Sequence, residues 1–166
     1  MLSSYRLSIL FVFLFSSAQS YAIELETDIT THLGKNKAFH AGDEIRILLS
    51  LSSKAFSLIV YETADDQLIQ LFPNKYEDAR QLPAGKYYSF GIRHEVFRFL
   101  VSSPFGIERV WLFSSLSPLP DVSQYTEPVG NYEKINLNLL QLKKIMSESR
   151  NNKAVNQSFV EINTRE

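Results

Sequence analysis

Three histidines, His32, His40 and His94, and the adjacent acids Asp65 and Asp66 are the residues from which hydrolytic or metal chemistry would have to be built. Such chemistry needs a nucleophile within hydrogen-bond reach of a base, or a metal with three or more convergent ligands. The histidines are scattered, and none has ligand spacing to a second histidine or to a carboxylate on the same element. His94 and Glu95 are sequence neighbours, which a strand sends to opposite faces. Asp65 and Asp66 fall between two apolar runs, where aspartates bond local backbone amides, and they are read as a turn. The sequence contains no G-x-S-x-G elbow, no phosphate-cradling glycine loop and no H-E-x-x-H pair. No catalytic residue, cofactor or metal is therefore expected.

Aromatic side chains are the remaining chemical resource. Tyr61, Phe72, Tyr76, Tyr87, Tyr88 and Trp111 fall in or beside the β-patterned runs, and exposed aromatics beside a turn can contact glycan or protein. The stretch "QLIQLFPN" concentrates the question: Pro73 lacks an N–H and ends a strand ladder, and Asn74 can bond backbone in the turn that follows. Phe72, Asn74, Tyr76 and Tyr87 are the candidate partner contacts.

The elements that must position these residues are mostly strands. From Phe39 to Ser115 short runs rich in β-branched and aromatic residues alternate with period two, interrupted by Gly, Pro, Asn and Asp. "EIRILLSLS" places Ile45, Ile47, Leu49 and Leu51 on one face. "AFSLIVYETADDQLIQLF" reads as a hairpin of strands 56–62 and 67–72 around a turn at 63–66. "EVFRFLVSS" is apolar on both faces and reads as a central strand. "SPFG" is a tight turn before the strand "IERVWLFSS", which carries the only tryptophan. Beyond a proline-marked connection, Tyr132, Ile135, Leu139, Leu142 and Met146 recur at helical spacing, predicting an amphipathic helix over about 132–149. The alternation of Ile135, Leu137 and Leu139 leaves its start open. "QSFVEINT" reads as a last strand. The expected fold is mainly β, an antiparallel β-sandwich or open barrel with one C-terminal amphipathic helix.

The N-terminus sets the compartment. Residues 1–22 carry Arg6, an apolar run from Leu7 to Phe15 and small residues ending at Ala22, the layout of a signal peptide cleaved after Ala22. The apolar run is about half the roughly 20 residues a membrane span requires. Cleavage would leave residues 23–166 as a single β-rich domain of 144 residues. The chain has no cysteine, so a small exported domain must stand on its core alone, which suits a bacterial envelope. The mature charge is near −2 with no basic block, which argues against nucleic acid as a partner. No second apolar segment reaches membrane length, so the mature form is expected not to span a membrane.

An ordered set of motifs adds to this reading. Gly42-Asp43 opens a strand, Leu71-Phe72-Pro73-Asn74 ends the hairpin, Ala84-Gly85 forms a turn, and Pro104-Phe105-Gly106 precedes a strand. The set resembles the bacterial family known as domain of unknown function 4384 over about residues 39–115. The hairpin turn, often Asp-Gly in the family, is Ala64-Asp65-Asp66-Gln67 here. The resemblance implies a β-sandwich-like module found in envelope proteins and beside kinase or caspase-like domains, and it assigns no catalytic residues. The functional expectation is an exported, periplasmic or secreted, non-catalytic binding or assembly module docking an envelope protein or cell-wall glycan. The alternative is an envelope hydrolase or peptidoglycan-active enzyme on an unfamiliar site.

Overall fold

Unbroken apolar character in two runs, Leu58 to Val60 and Val110 to Phe113, requires strands covered on both faces, and those runs form the centre of the molecule. The computed structural model describes residues 24–75, 80–90, 99–130, 132–148 and 155–166, with the backbone alone for 86–90. In chain order the elements are β1 (Thr27–Thr31), β2 (Ala38–His40), β3 (Glu44–Ile45), β4 (Ile47–Leu51), β5 (Ala55–Glu62), β6 (Leu68–Phe72) and β7 (Gln81–Leu82). They continue as β8 (Gly85–Phe90), β9 (Phe99–Leu100), β10 (Ile107–Ser115), β11 (Thr126–Val129), β12 (Tyr132–Ile135), α1 (Leu139–Ser147) and β13 (Asn156–Arg165). The expected signal peptide, Tyr76, His94 and the side chain of Tyr87 lie outside the described residues.

The large sheet has the order β11-β12-β6-β5-β10-β13-β2, with β7 also pairing β5. A second sheet has the order β1-β4-β8, and β3 pairs β9 in a third. Among the described residues the large sheet ends at β11 and β2 without closing, so there is no closed barrel and the architecture is sandwich-like. Its pairings are antiparallel except β13 with β2, which is parallel.

Side-chain parity divides the large sheet into two faces. Ile59, Leu71, Phe72, Val110, Leu112, Val160 and Ile162 pack against Ile29, Ile47, Leu49 and Leu51 of the second sheet. Leu58, Val60, Trp111 and Phe113 form the opposite face, covered by Leu142 and Met146 of α1 together with Val122 and Ile135. The helix thus makes a third layer. Leu142 and Met146 are fully buried, each gaining about 2 kcal/mol from removal of apolar surface from water.

The hairpin appears as expected. Thr63 N–H donates to the Gln67 carbonyl at 2.9 Å, and Asp66 takes a left-handed φ of 62°. The Asp65 carboxylate accepts from Thr63 Oγ1 at 2.5 Å and from Gln67 Nε2 at 2.7 Å. These bonds, led by that from Thr63, hold the Asp65 carboxyl below the usual range. The acids are turn residues in this geometry.

One expectation is corrected. The helix begins at Leu139 and not near Tyr132, because Glu133, Lys134 and Ile135 pair with β6 and Asn138 supplies the stop. Asn138 Oδ1 accepts from Gln141 N–H, and Gln141 Oε1 accepts from Asn138 N–H, both at 2.9 Å, a reciprocal capping box. Of the strand read as central around residues 96–101, residues 96–98 lie outside the described residues, and the described part, β9, pairs with the two-residue β3. The central places go to β5 and β10, whose apolar residues are sandwiched between the second sheet and α1.

Candidate functional site

At one end of the large sheet, where β6 stops and β7 joins β5, the chain leaves an open cavity of about 320 Å³. Phe56, Ser57 and Leu58 form its floor, and Gln70, Pro73, Asn74 and Lys75 form one wall. The opposite wall is Pro118 to Ser123, with Arg80 and Glu133 also lining it.

Local bonds explain why this end is shaped as it is. Gln70 Nε2 donates to the Pro73 carbonyl at 2.7 Å, and Asn74 Nδ2 donates to the Leu71 carbonyl at 2.7 Å. Both side chains therefore fasten the turn after β6 to the strand that precedes it. Ser57 N–H donates to the Arg80 carbonyl at 3.0 Å, which places Arg80 beside the floor. In the other wall, Asp121 Oδ1 accepts from Ser123 N–H at 2.9 Å and opens a 3-10 turn over Ser123–Tyr125. That amide bond, aided by Arg80 Nη2 at 3.9 Å, holds the Asp121 carboxyl below the usual range. The site has an apolar, proline-rich interior and charges of both signs at its margin.

The sequence candidates separate here. Phe72 is fully buried in the sandwich core and presents no surface to a partner, correcting its reading as a contact. Its position is set by parity: it faces the second sheet with Leu71 after the β5–β6 register shifts between Ile59 and Val60. Asn74 lies half-buried in the cavity wall. Tyr76 and the Tyr87 side chain lie outside the described residues. Trp111 is also buried: its Nε1 donates to Glu62 at 2.9 Å, and Lys143 Nζ sits 3.7 Å above its ring. Sequence reading did not single out Arg80, Leu119 or Asp121. The available signal was the run "SPLPD", whose prolines prevent it from continuing a ladder.

The remaining motifs act at the far end of the hairpin. Asp43 Oδ2 accepts from His40 N–H at 2.7 Å, and Gly42, at φ 86°, donates its N–H to the Val101 carbonyl at 2.9 Å. Gly106 bonds Thr164 of β13 through both backbone groups: its N–H reaches Thr164 Oγ1 at 3.0 Å and its carbonyl accepts Thr164 N–H at 2.8 Å. A Cβ at Gly106 would lie 3.1 Å from that of Ala64, so the Pro104–Gly106 turn rests on the hairpin turn.

Residues 38–118 match the model of the family described as Domain of unknown function (DUF4384). The chain carries a DUF4384 domain. No curated protein and no solved structure matches the chain. The DUF4384 domain takes in β2 to β10, while β1, β11, β12, α1 and β13 lie outside the matched residues. The cavity straddles that boundary, since its floor belongs to the DUF4384 domain and Leu119 to Ser123 and Glu133 do not. Among the described residues no three His, Asp or Glu side chains converge on a metal position, and no helix is long and apolar enough to cross a membrane.

Proposed function

We propose that the chain is an exported, non-catalytic binding module of the bacterial cell envelope that docks a segment of a protein partner in the cavity beside Asn74. The observation that carries this reading is the cavity formed between the DUF4384 domain's strand-ending turn and the Pro118–Ser123 segment, which runs out of that domain. Apolar concavities with a few placed polar groups are the usual form of ligand sites. The lining favours a protein segment over a glycan. Among the described residues its one aromatic is Phe56, half-buried on the floor, whereas a sugar platform needs exposed rings. An apolar side chain entering between Leu58 and Leu119 would lie beside the margin charges Arg80, Asp121 and Glu133.

A library of synthetic peptides, each centred on a different side chain, probed with purified protein lacking residues 1–22 tests the reading. Peptides centred on an apolar residue are expected to bind, and Leu119→Asp and the surface change Arg80→Glu each to weaken that binding with the fold intact. Binding of soluble peptidoglycan fragments with no peptide bound would replace the protein partner by a cell-wall one. Turnover of those fragments would sink the non-catalytic assignment.

A further inference from the structure

A second cavity, of about 200 Å³, lies apart from the docking site and has a different chemistry. Its walls are Ile45, Ile69, Leu71 and Val101, with three aromatic rings, Tyr61, Phe99 and Tyr132, and the carboxyl of Glu108. Glu108 is 3 % exposed. It shares the inward parity of Val110 and Leu112 on β10, where an apolar side chain would pack without electrostatic cost.

Glu62 shows what this fold does with a buried carboxylate whose role is structural. It is 6 % exposed, accepts from Trp111 Nε1 at 2.9 Å and sits 3.5 Å from Arg109 Nη1. Among the described residues no cation pairs with Glu108; Arg109, its neighbour in sequence, points to the other face and pairs with Glu62 and Glu161. Glu108 has hydroxyls beside it instead, from Tyr61 and Thr164. Burial raises its carboxyl above the ordinary range, as expected of an acid removed from water without a counter-charge.

We propose that this cavity binds an organic ammonium cation, with Glu108 as counter-ion and the rings of Tyr61, Phe99 and Tyr132 as its apolar, electron-rich walls. The Tyr61 and Phe99 rings meet edge to face, centroids 4.7 Å apart at 83°, so they present differently oriented surfaces to the same space. Aromatic faces with one carboxylate suit a diffuse cation bearing alkyl groups. They do not suit calcium or magnesium, which require six or more oxygen ligands, or several retained waters, where this cavity offers aliphatic and aromatic walls. Tyr132 belongs to β12, outside the DUF4384 match, so the site, like the docking cavity, draws on both parts of the chain.

The test is calorimetric titration of the purified chain at pH 8 with choline and with its neutral isostere 3,3-dimethylbutan-1-ol. Choline is expected to bind at least about tenfold more tightly. Glu108→Gln should abolish that preference without lowering the thermal midpoint, and Tyr61→Leu should weaken choline binding while the carboxyl is retained. Nα-acetyl-lysine amide, tested in parallel, separates the two sources of the group: tighter binding than choline points to a partner's side chain, weaker binding to a free small molecule. Equal affinity for choline and the isostere, no binding of any of these ammonium probes, or an undiminished preference in Glu108→Gln overturns the proposal.

Discussion

Replacing Phe72 by alanine tests whether the strand-ending motif is a fold determinant or a contact surface. Phe72 has no exposed area and packs in the core shared by the two main sheets. Truncating a buried phenylalanine costs about 3–5 kcal/mol, the transfer energy of the ring plus the cavity left behind. Here the loss should fall near the middle, about 4 kcal/mol, since the register shift between Ile59 and Val60 lets β5 and β6 relax partway into the gap. Against a total stability on the order of 5–15 kcal/mol, that is a quarter or more. Urea unfolding followed by the fluorescence of Trp111, the only tryptophan, reads the change. With a urea slope of about 1.5–2 kcal/mol/M, the midpoint should fall by roughly 2–2.7 M. A loss below about 1 kcal/mol with an unchanged slope would refute the reasoning, because a residue serving a partner at the rim leaves the free protein's stability intact.

Further consequences are checked in the same way. Gly106→Val should destabilise by about 2 kcal/mol or more by thermal unfolding, because its Cβ meets Ala64 at 3.1 Å and the backbone on both sides is tied to Thr164. Asn138→Ala should cost about 1 kcal/mol and lower helicity by circular dichroism, since it removes the capping box of α1. Glu108→Gln should raise the thermal midpoint at pH 7–8. The native carboxyl has a raised pKa, so the native state holds its proton more tightly and wild-type stability falls as pH rises through that value. The advantage of the variant should shrink as pH drops toward the ordinary glutamate range near about 4.

How much was legible in the sequence depended on whether the deciding interaction was local. The β5–β6 hairpin could be read because its turn acids and alternating strands lie within one stretch, and β13 because its apolar positions repeat every second residue. The helix start was obscured because Tyr132 and Ile135 fit helical spacing and strand alternation equally well. Pairing of Glu133 with Gln70 and of Ile135 with Leu68 decided it, and sequence spacing does not reveal that pairing. The turn after β6 was recognisable, but that Phe72 points inward depends on the β5–β6 register shift, and that Asn74 lines a cavity depends on the distant 118–123 segment. Glu108 was open to detection by parity, as a carboxyl in register with Val110 and Leu112. Its aromatic neighbours come from β5, β9 and β12, apart from it in the chain, so the site itself had no local signature.

The docking proposed for the cavity beside Asn74 puts a partner within reach of Leu119. Its most direct test is site-specific photo-crosslinking in cells producing the full chain. A photoreactive phenylalanine analogue is placed at position 119, in the cavity wall, or at position 107, where Ile107 is 53 % exposed and outside the cavity lining. A discrete protein adduct from position 119, absent from position 107 and lost when Arg80→Glu is added, is the predicted result. Equal adducts from both positions, or none from position 119, would contradict it.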